Sequence, residues 1–326
     1  MSTPLCDHHR VLLPAAVAGL RLDQALARVL PQYSRTLIKQ WIDLGQVTQA
    51  GVAQKARTPA RAGAIIEVLA TLDAVAELEP QVVDFALAHV DEHLLVIDKP
   101  VGLVVHPGAG NRDHTLVNGL LERFPELAAL PRAGLVHRID KDTSGLLVVA
   151  RTPRAFQTLV RALARREIHR HYLAVVNGVL VAGGTIDAAI ARDPQQRTRM
   201  RVMTGGRQAV THFRVAERYR AHSLLEVELE TGRTHQIRVH LAWRGYPLVG
   251  DSRYGARPHL PPAADPALRA ALQHFPRQAL HAWRLNFAHP HDDSPLEFES
   301  PLPADLEVLL AALDTDRTHH GDLARE

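Results

Sequence analysis

The sequence predicts an α+β protein whose main sheet is mixed but mainly antiparallel. Strand-like runs outnumber helical ones, and few strand pairs have a helix between them, which argues against a doubly wound sheet. A length of 326 residues allows two domains. A basic helix pair near the amino terminus, followed by an acidic, alanine-rich link, predicts that the smaller domain comes first.

Residues 1–20 read as an amino-terminal extension. Within it Ala16-Val17-Ala18-Gly19 imitates a secretory cleavage site, but Pro14 breaks the apolar run and the lead is poorly basic, so an edge strand is expected. The small domain covers 21–70. Leu22, Ala25, Leu26, Val29 and Leu30 form one helical stripe, stopped by Pro31. Ser34 is placed as the cap of a second helix, in which Leu37, Ile38, Trp41 and Ile42 repeat at helical spacing before Gly45. Short strands are expected at Val47 and over 64–69. From Arg21 to Val68 seven basic residues stand against three acidic ones. A solvated helix face accommodates such charges, but their concentration in so short a module favours phosphate binding.

Residues 71–81 read as a linker, and the large domain runs over 82–313. Its strands are expected at 94–97, 103–105, 146–150 and 172–176, and across the alternating Leu225, Val227 and Leu229. Helices are expected over 116–124, 155–165, 234–243 and 304–313, with Thr234 capping the third and Gly245 near its end. The prolines and alanines between Gly255 and Phe275 suggest a surface excursion, and 314–326 a polar, frayed tail.

Composition narrows the function. Cys6 is the sole cysteine, which excludes disulfides and multi-cysteine zinc sites within one chain and suits a reducing cytoplasm. No run approaches the roughly 18 apolar residues of a membrane span, so a soluble, cytoplasmic protein is expected. Twenty histidines invite a metal, yet none falls at a ligand spacing such as His-Glu-x-x-His. With no phosphate-cradling or dinucleotide fingerprint either, neither metal nor cofactor is expected. The formal net charge of +3 permits a polyanionic partner.

Three segments join glycine turns to charges in a way that a core does not require. The first, Asp98-Lys99-Pro100-Val101-Gly102, ends a strand in a Lys-Pro turn. The second, His137-Arg138-Ile139-Asp140-Lys141-Asp142-Thr143-Ser144-Gly145, sets a carboxylate between two cations ahead of a buried-looking strand. Taken alone it also reads as a solvated hairpin. The third, Thr231-Gly232-Arg233-Thr234-His235-Gln236-Ile237-Arg238-Val239-His240, puts Arg233 at a strand-to-helix corner, where a rigid scaffold aims side chains.

The strings HRIDKDTSGLLVVA, DKPVGLVVHPGAGN, TGRTHQIRVH, GDSRYG and RQALHA closely resemble the RluA-type pseudouridine synthases, over nearly the whole chain. The resemblance implies a pseudouridine synthase catalytic domain preceded by a small S-four-like α/β RNA-binding domain. It implies isomerisation of uridine in large-subunit ribosomal RNA, naked or within a pre-ribosomal particle, by a monomer without metal or cofactor. By position, Asp140 matches the family's catalytic aspartate and Arg138 the arginine that helps evict the target nucleotide. Tyr172 matches the tyrosine that stacks on the uracil, and Arg233 the basic residue that pairs with the aspartate. Lys99, His137 and Lys141 are expected to meet RNA beside them, and Arg21, Arg35 and Lys39 to do so in the small domain. Departures are Ile139 for the usual leucine, His171 before the tyrosine, and Arg61-Ala62-Gly63-Ala64, which lacks an aspartate after the glycine.

Such chemistry suits an ionised carboxylate beside a guanidinium, whether the carboxylate attacks C1′ or removes the C2′ proton. Asp142 is the rival acid, but before Thr-Ser-Gly it is expected to cap the turn. A non-catalytic RNA binder gains nothing from the carboxylate, and a hydrolytic glycosidase wants two acids flanking the bond.

Overall fold

The computed structural model describes residues 5–320 except 32, 34, 73–78, 109, 197 and 256–257. Ser34, most of the expected linker and the last residues of the tail therefore lie outside the described residues. The chain divides into two compact units, Met1–Leu78 and Glu79–Glu326.

The first unit comprises β1 (Leu5–Leu12), α1 (Leu22–Val29), α2 (Arg35–Asp43), β2 (Val47–Gln49), β3 (Val52–Ala53) and β4 (Ile65–Leu72), with sheet order β1-β4-β2-β3. Every pairing is antiparallel. Leu22, Ala25 and Leu26 of α1 bury against Ile38, Trp41 and Ile42 of α2 and against Val47, Ile66 and Val68 of the sheet. The stripes that predicted the two helices are thus the ones that close the core. Of the stretch from Arg10 to Leu20 expected as an edge strand, only Arg10 to Leu12 lies in one: β1 stands at the edge and pairs with β4 from Leu5↔Leu72 to Leu12↔Ile65, while Ala15–Val17 form a short 3-10 helix, so part of the supposed extension belongs to this sheet.

The second unit runs β5 (Ala86–Val90), β6 (Leu94–Lys99), α3 (Leu116–Arg123), β7 (Ser144–Ala150), α4 (Pro153–Ala164), β8 (His169–Asn177), β9 (Gly184–Asp187), β10 (Ile190–Arg192), β11 (Met200–Val202) and β12 (Val210–Arg218). It continues with β13 (His222–Leu229), α5 (Gln236–Trp243), α6 (Pro266–His274), β14 (Leu280–Ala288), β15 (Pro295–Glu299) and α7 (Ala304–His320). The main sheet has the order β5-β6-β7-β14-β8-β13-β12-β9, with β15 on β14. Only β7 and β14 pair in parallel in this sheet, as the mixed but mainly antiparallel expectation requires. The register sets Gly145, Ala282, Tyr172 and Val227 side by side across β7, β14, β8 and β13.

Three local expectations are corrected. Residues 103–105 are not a strand: the carbonyls of Val104 and Val105 instead accept the first free N–H groups of α3, from Leu116 and Val117. The excursion after Gly255 contains α6, whose buried Leu268 and Leu272 pack with Leu306, Leu309 and Leu313 of α7. Helix α7 extends to His320, past the start of the expected tail, because Asp316 is buried on it and bonded by Arg220 at 3.0 Å.

Candidate active site

The turn before β7 is fixed through its backbone. The Thr143 N–H donates to the Asp140 carbonyl at 3.1 Å, and the Lys141 carbonyl accepts from Gly102 N–H at 3.0 Å and Lys99 Nζ at 2.8 Å. Arg277 donates to the Asp142 carbonyl at 3.1 Å, and Gln278 to the Thr143 hydroxyl. Gly145 follows at φ +106°, and a Cβ there would stand 2.1 Å from the Ala282 carbonyl oxygen. No side chain fits between the parallel strands, so the glycine lets β7 dock against β14 directly behind Asp140.

The corner between β13 and α5 is pinned by buried Gln236. Its side-chain oxygen accepts from the Thr231 hydroxyl and the Arg233 N–H, and its amide donates to the Val210 carbonyl and the Thr211 hydroxyl. The helix cap is His235, in the left-handed region at φ 56°, rather than Thr234.

The guanidinium that meets Asp140 is Arg238. Its Nη1 donates to Asp140 Oδ2 at 3.0 Å, while Nε and Nη2 grip Asp251 at 2.7 and 2.9 Å. Asp251 also accepts the N–H groups of Arg253 and Tyr254, and the Tyr254 ring lies under the guanidinium. Burial alone would push the Asp251 carboxyl up, but Arg238 and the two N–H groups hold it below the usual carboxylate range. Burial likewise disfavours the Arg238 charge, and the two carboxylates more than restore it. Arg238 is therefore a permanent cation fixed on one side and applied to Asp140 on the other.

This corrects the expected pairing of Asp140 with Arg233. Arg233 lines the same pocket, but its Nε donates to the Gln208 carbonyl at 2.9 Å. It leaves the corner before the helix begins, whereas Arg238 projects from the helix itself. His235 also approaches, its Nε2 lying 4.0 Å from Asp140 Oδ2 and its Nδ1 sharing a 2.7 Å hydrogen bond with the Tyr254 hydroxyl.

Asp140 opens onto a pocket that Arg138, Arg170, Tyr172, Arg233 and His235 also line. Tyr172 forms one wall, buried to 5% exposure. Burial, opposed by Arg170 and reinforced by Asp140, raises its hydroxyl pKa and keeps the ring neutral. Arg138 is exposed at the rim, shared with a wider groove that also holds Arg132, Arg166 and Arg233. Lys141 is exposed on the turn.

Two of the expected RNA contacts, Lys99 and half-buried His137, have their nitrogens turned into the protein. Lys99 is fully buried, and its ammonium donates to the Pro100 and Lys141 carbonyls. Burial lowers its pKa to about 7, against the opposing pull of Asp142 and Asp140. Its task is to clamp the Asp140 turn. His137 Nε2 accepts the Val148 N–H while Nδ1 is buried without a partner, and burial lowers the ring's pKa to about 3. A neutral ring with both nitrogens inside offers nothing to a phosphate. The Asp142 carboxylate bears electrostatically on Lys99, more strongly than Asp140 or Asp98 does.

In the amino-terminal unit, Arg21 and Arg35 share buried Asp23 at 3.0 and 2.7 Å, and Lys39 pairs with Asp43 across one helical turn. Among the described residues one cluster has the geometry to hold a metal, Asp265, Asp316 and His320, and none of the three lines the Asp140 pocket.

Residues 93–243 match the family model described as RNA pseudouridylate synthase. The chain is 50% identical over 325 residues to the Ribosomal large subunit pseudouridine synthase D of Xanthomonas campestris, covering 99% of this chain and 98% of that one. It is 46% identical over 318 residues to the protein of the same name from Escherichia coli K12, covering 96% and 98%. Among solved structures it is similar to Human RNA Pseudouridylate Synthase Domain Containing 1, at TM-score 0.54 and 27% identity over 70% of this chain and 87% of that one.

Proposed function

The chain belongs to the RNA pseudouridylate synthase family, and from that premise we propose that it converts uridines of large-subunit ribosomal RNA to pseudouridine with Asp140 as the catalytic carboxylate. The observation that carries this is one carboxylate held by a buried arginine at the floor of a pocket walled by a tyrosine and rimmed by arginines. Near-identity in length with relatives named for the large subunit supports that substrate.

The target uridine leaves its stack at a cost of a few kcal/mol, and Arg138 at the rim fills the gap it vacates. The uracil stacks on Tyr172, which returns roughly 1 to 3 kcal/mol. Arg238 occupies Asp140 Oδ2 and so turns Oδ1 to the ribose. Asp140 then acts at C1′ as nucleophile or at C2′ as base; the geometry serves both. The bond from C1′ to N1 breaks, the uracil turns, C5 bonds to C1′, and the C5 proton is lost as N1 gains one. The amino-terminal unit is read as the S-four-like RNA-binding domain, with Arg21, Arg35 and Lys39 as its phosphate contacts.

Unmodified large-subunit RNA incubated with the protein and digested to nucleosides tests this. Pseudouridine at the expense of uridine, without free uracil, is expected. Free uracil would mean hydrolysis, and unchanged nucleosides a binder.

A further inference from the structure

We infer that Arg170 is a further catalytic residue, which holds the uracil as an anion between cleavage of its bond to the ribose and formation of the new one. The inference rests on the isomerase reading above.

Arg170 is only 6% exposed. Among the described residues the other two buried arginines are each matched to a carboxylate, Arg238 to Asp140 and Asp251 and Arg277 to Asp305. Among the described residues Arg170 pairs with no acid. Its Nη2 donates to the Leu229 carbonyl at 3.1 Å, and its Nε is buried without a partner. An uncompensated buried cation is costly, so its retention at a pocket wall points to an anion that arrives. Gly232 makes room for it: a Cβ there would lie 2.9 Å from Nη1.

Its position names the anion. Arg170 and Tyr172 are two apart on β8, so both project from one face, and both line the pocket with Asp140. A uracil stacked on Tyr172 with its ribose at Asp140 lies in the same pocket that the Arg170 side chain lines. When the bond to C1′ breaks, its electron pair leaves with N1 and spreads over O2 and O4. Whether Asp140 bonds to C1′ or takes the C2′ proton, the base departs as that anion. Turning the ring about the line through N3 and C6 exchanges O2 with O4 as it exchanges N1 with C5. A guanidinium addressing a carbonyl oxygen therefore meets an equivalent acceptor before and after the turn.

The test uses the full chain, its Arg170→Met and Arg170→Lys variants, and transcripts carrying uridine or 5-fluorouridine at the target. Fluorine acidifies N1 and so stabilises the departing anion without help from the protein. Arg170→Met should slow single-turnover consumption of the target uridine by about 100-fold, the scale of losing one preorganised donor, but consumption of 5-fluorouridine, whose C5 has no proton to give up and which therefore cannot finish as pseudouridine, much less. Arg170→Lys should recover part of the loss. RNA affinity should stay within about two-fold and keep its salt slope. Because the two substrates are compared within one variant, a partly unfolded fraction cancels. Equal slowing on both, or weaker binding with a salt slope reduced by about one, would overturn the inference, the latter in favour of a phosphate contact. A wild-type protein that forms no pseudouridine would instead remove the reading beneath it.

Discussion

Arg238 stands between two carboxylates, and only one of them faces the pocket. Its substitution by glutamine removes a fixed charge from Asp140 and leaves Asp251 buried and unpaired. Removing one partner of a buried pair costs about 3 to 5 kcal/mol, so Arg238→Gln is expected to lower kcat at least 100-fold, together with a lower melting temperature. Arg233→Gln should act mainly on KM, as loss of a rim cation; a larger kcat loss for it than for Arg238→Gln would restore the pairing expected from sequence. Asp140, Tyr172 and Arg138, singled out from long motifs, line one pocket. Arg238 was not legible, although the clue was present: it is flanked by Ile237 and Val239 in a helix buried from Gln236 to Leu241, where a charge requires a partner. Lys99 misled for the opposite reason. A Lys-Pro turn reads as exposed, whereas β6 lies between β5 and β7 in the buried sheet. Lys99→Met should therefore leave RNA affinity and its salt slope intact while reducing kcat by loosening the turn; a weaker grip on RNA would put the lysine at the interface after all.

The turn and β7 act as one element. The wholly apolar run Leu146–Ala150 announced a central strand, and all seven residues of β7 are buried. Its parallel docking to β14 was not legible, because the partner lies far along the chain and is set by the Gly145 contact with Ala282. Gly145→Ala demands both a strained backbone and separation of two strands. A loss of about 3 kcal/mol or more is expected from the combination, read as a shifted urea midpoint. An unchanged midpoint would mean that β14 yields easily. Loop 103–105 misread as a strand for a related reason: its apolar residues serve the start of α3 through their carbonyls, a duty that periodicity does not encode.

Across the whole molecule, buried histidines couple stability to acidity. Burial holds His222 down to about 4 and His137 down to about 3. An unfolded chain takes up these protons near pH 6.5, so below that value it binds more protons than the folded one. Stability is accordingly lost as pH falls, by up to about 1.4 kcal/mol per pH unit for each such histidine. Both His222 nitrogens are buried without partners, so His222→Leu should flatten the decline of the urea midpoint between about pH 6.5 and about pH 4.5; the same slope in the variant would assign the loss elsewhere. The charge cluster and the acidic link pointed to a small amino-terminal module over 21–70, and the compact unit that the structure shows runs over Met1–Leu78 and includes β1, which the sequence did not announce. Its pairing with β4 joins residues some sixty apart, and strand partners that distant leave no local pattern. Deleting residues 1–78 should leave the second unit folded while weakening RNA binding and reducing its salt slope; unchanged affinity would remove the proposed role of the first unit. The most direct test of Asp140 as the catalytic carboxylate is release of tritium from C5 of uracil in unmodified large-subunit RNA. Steady release by the wild-type protein is expected and none measurable by a folded Asp140→Asn variant that binds the RNA equally well, whereas release by that variant would contradict the assignment of Asp140.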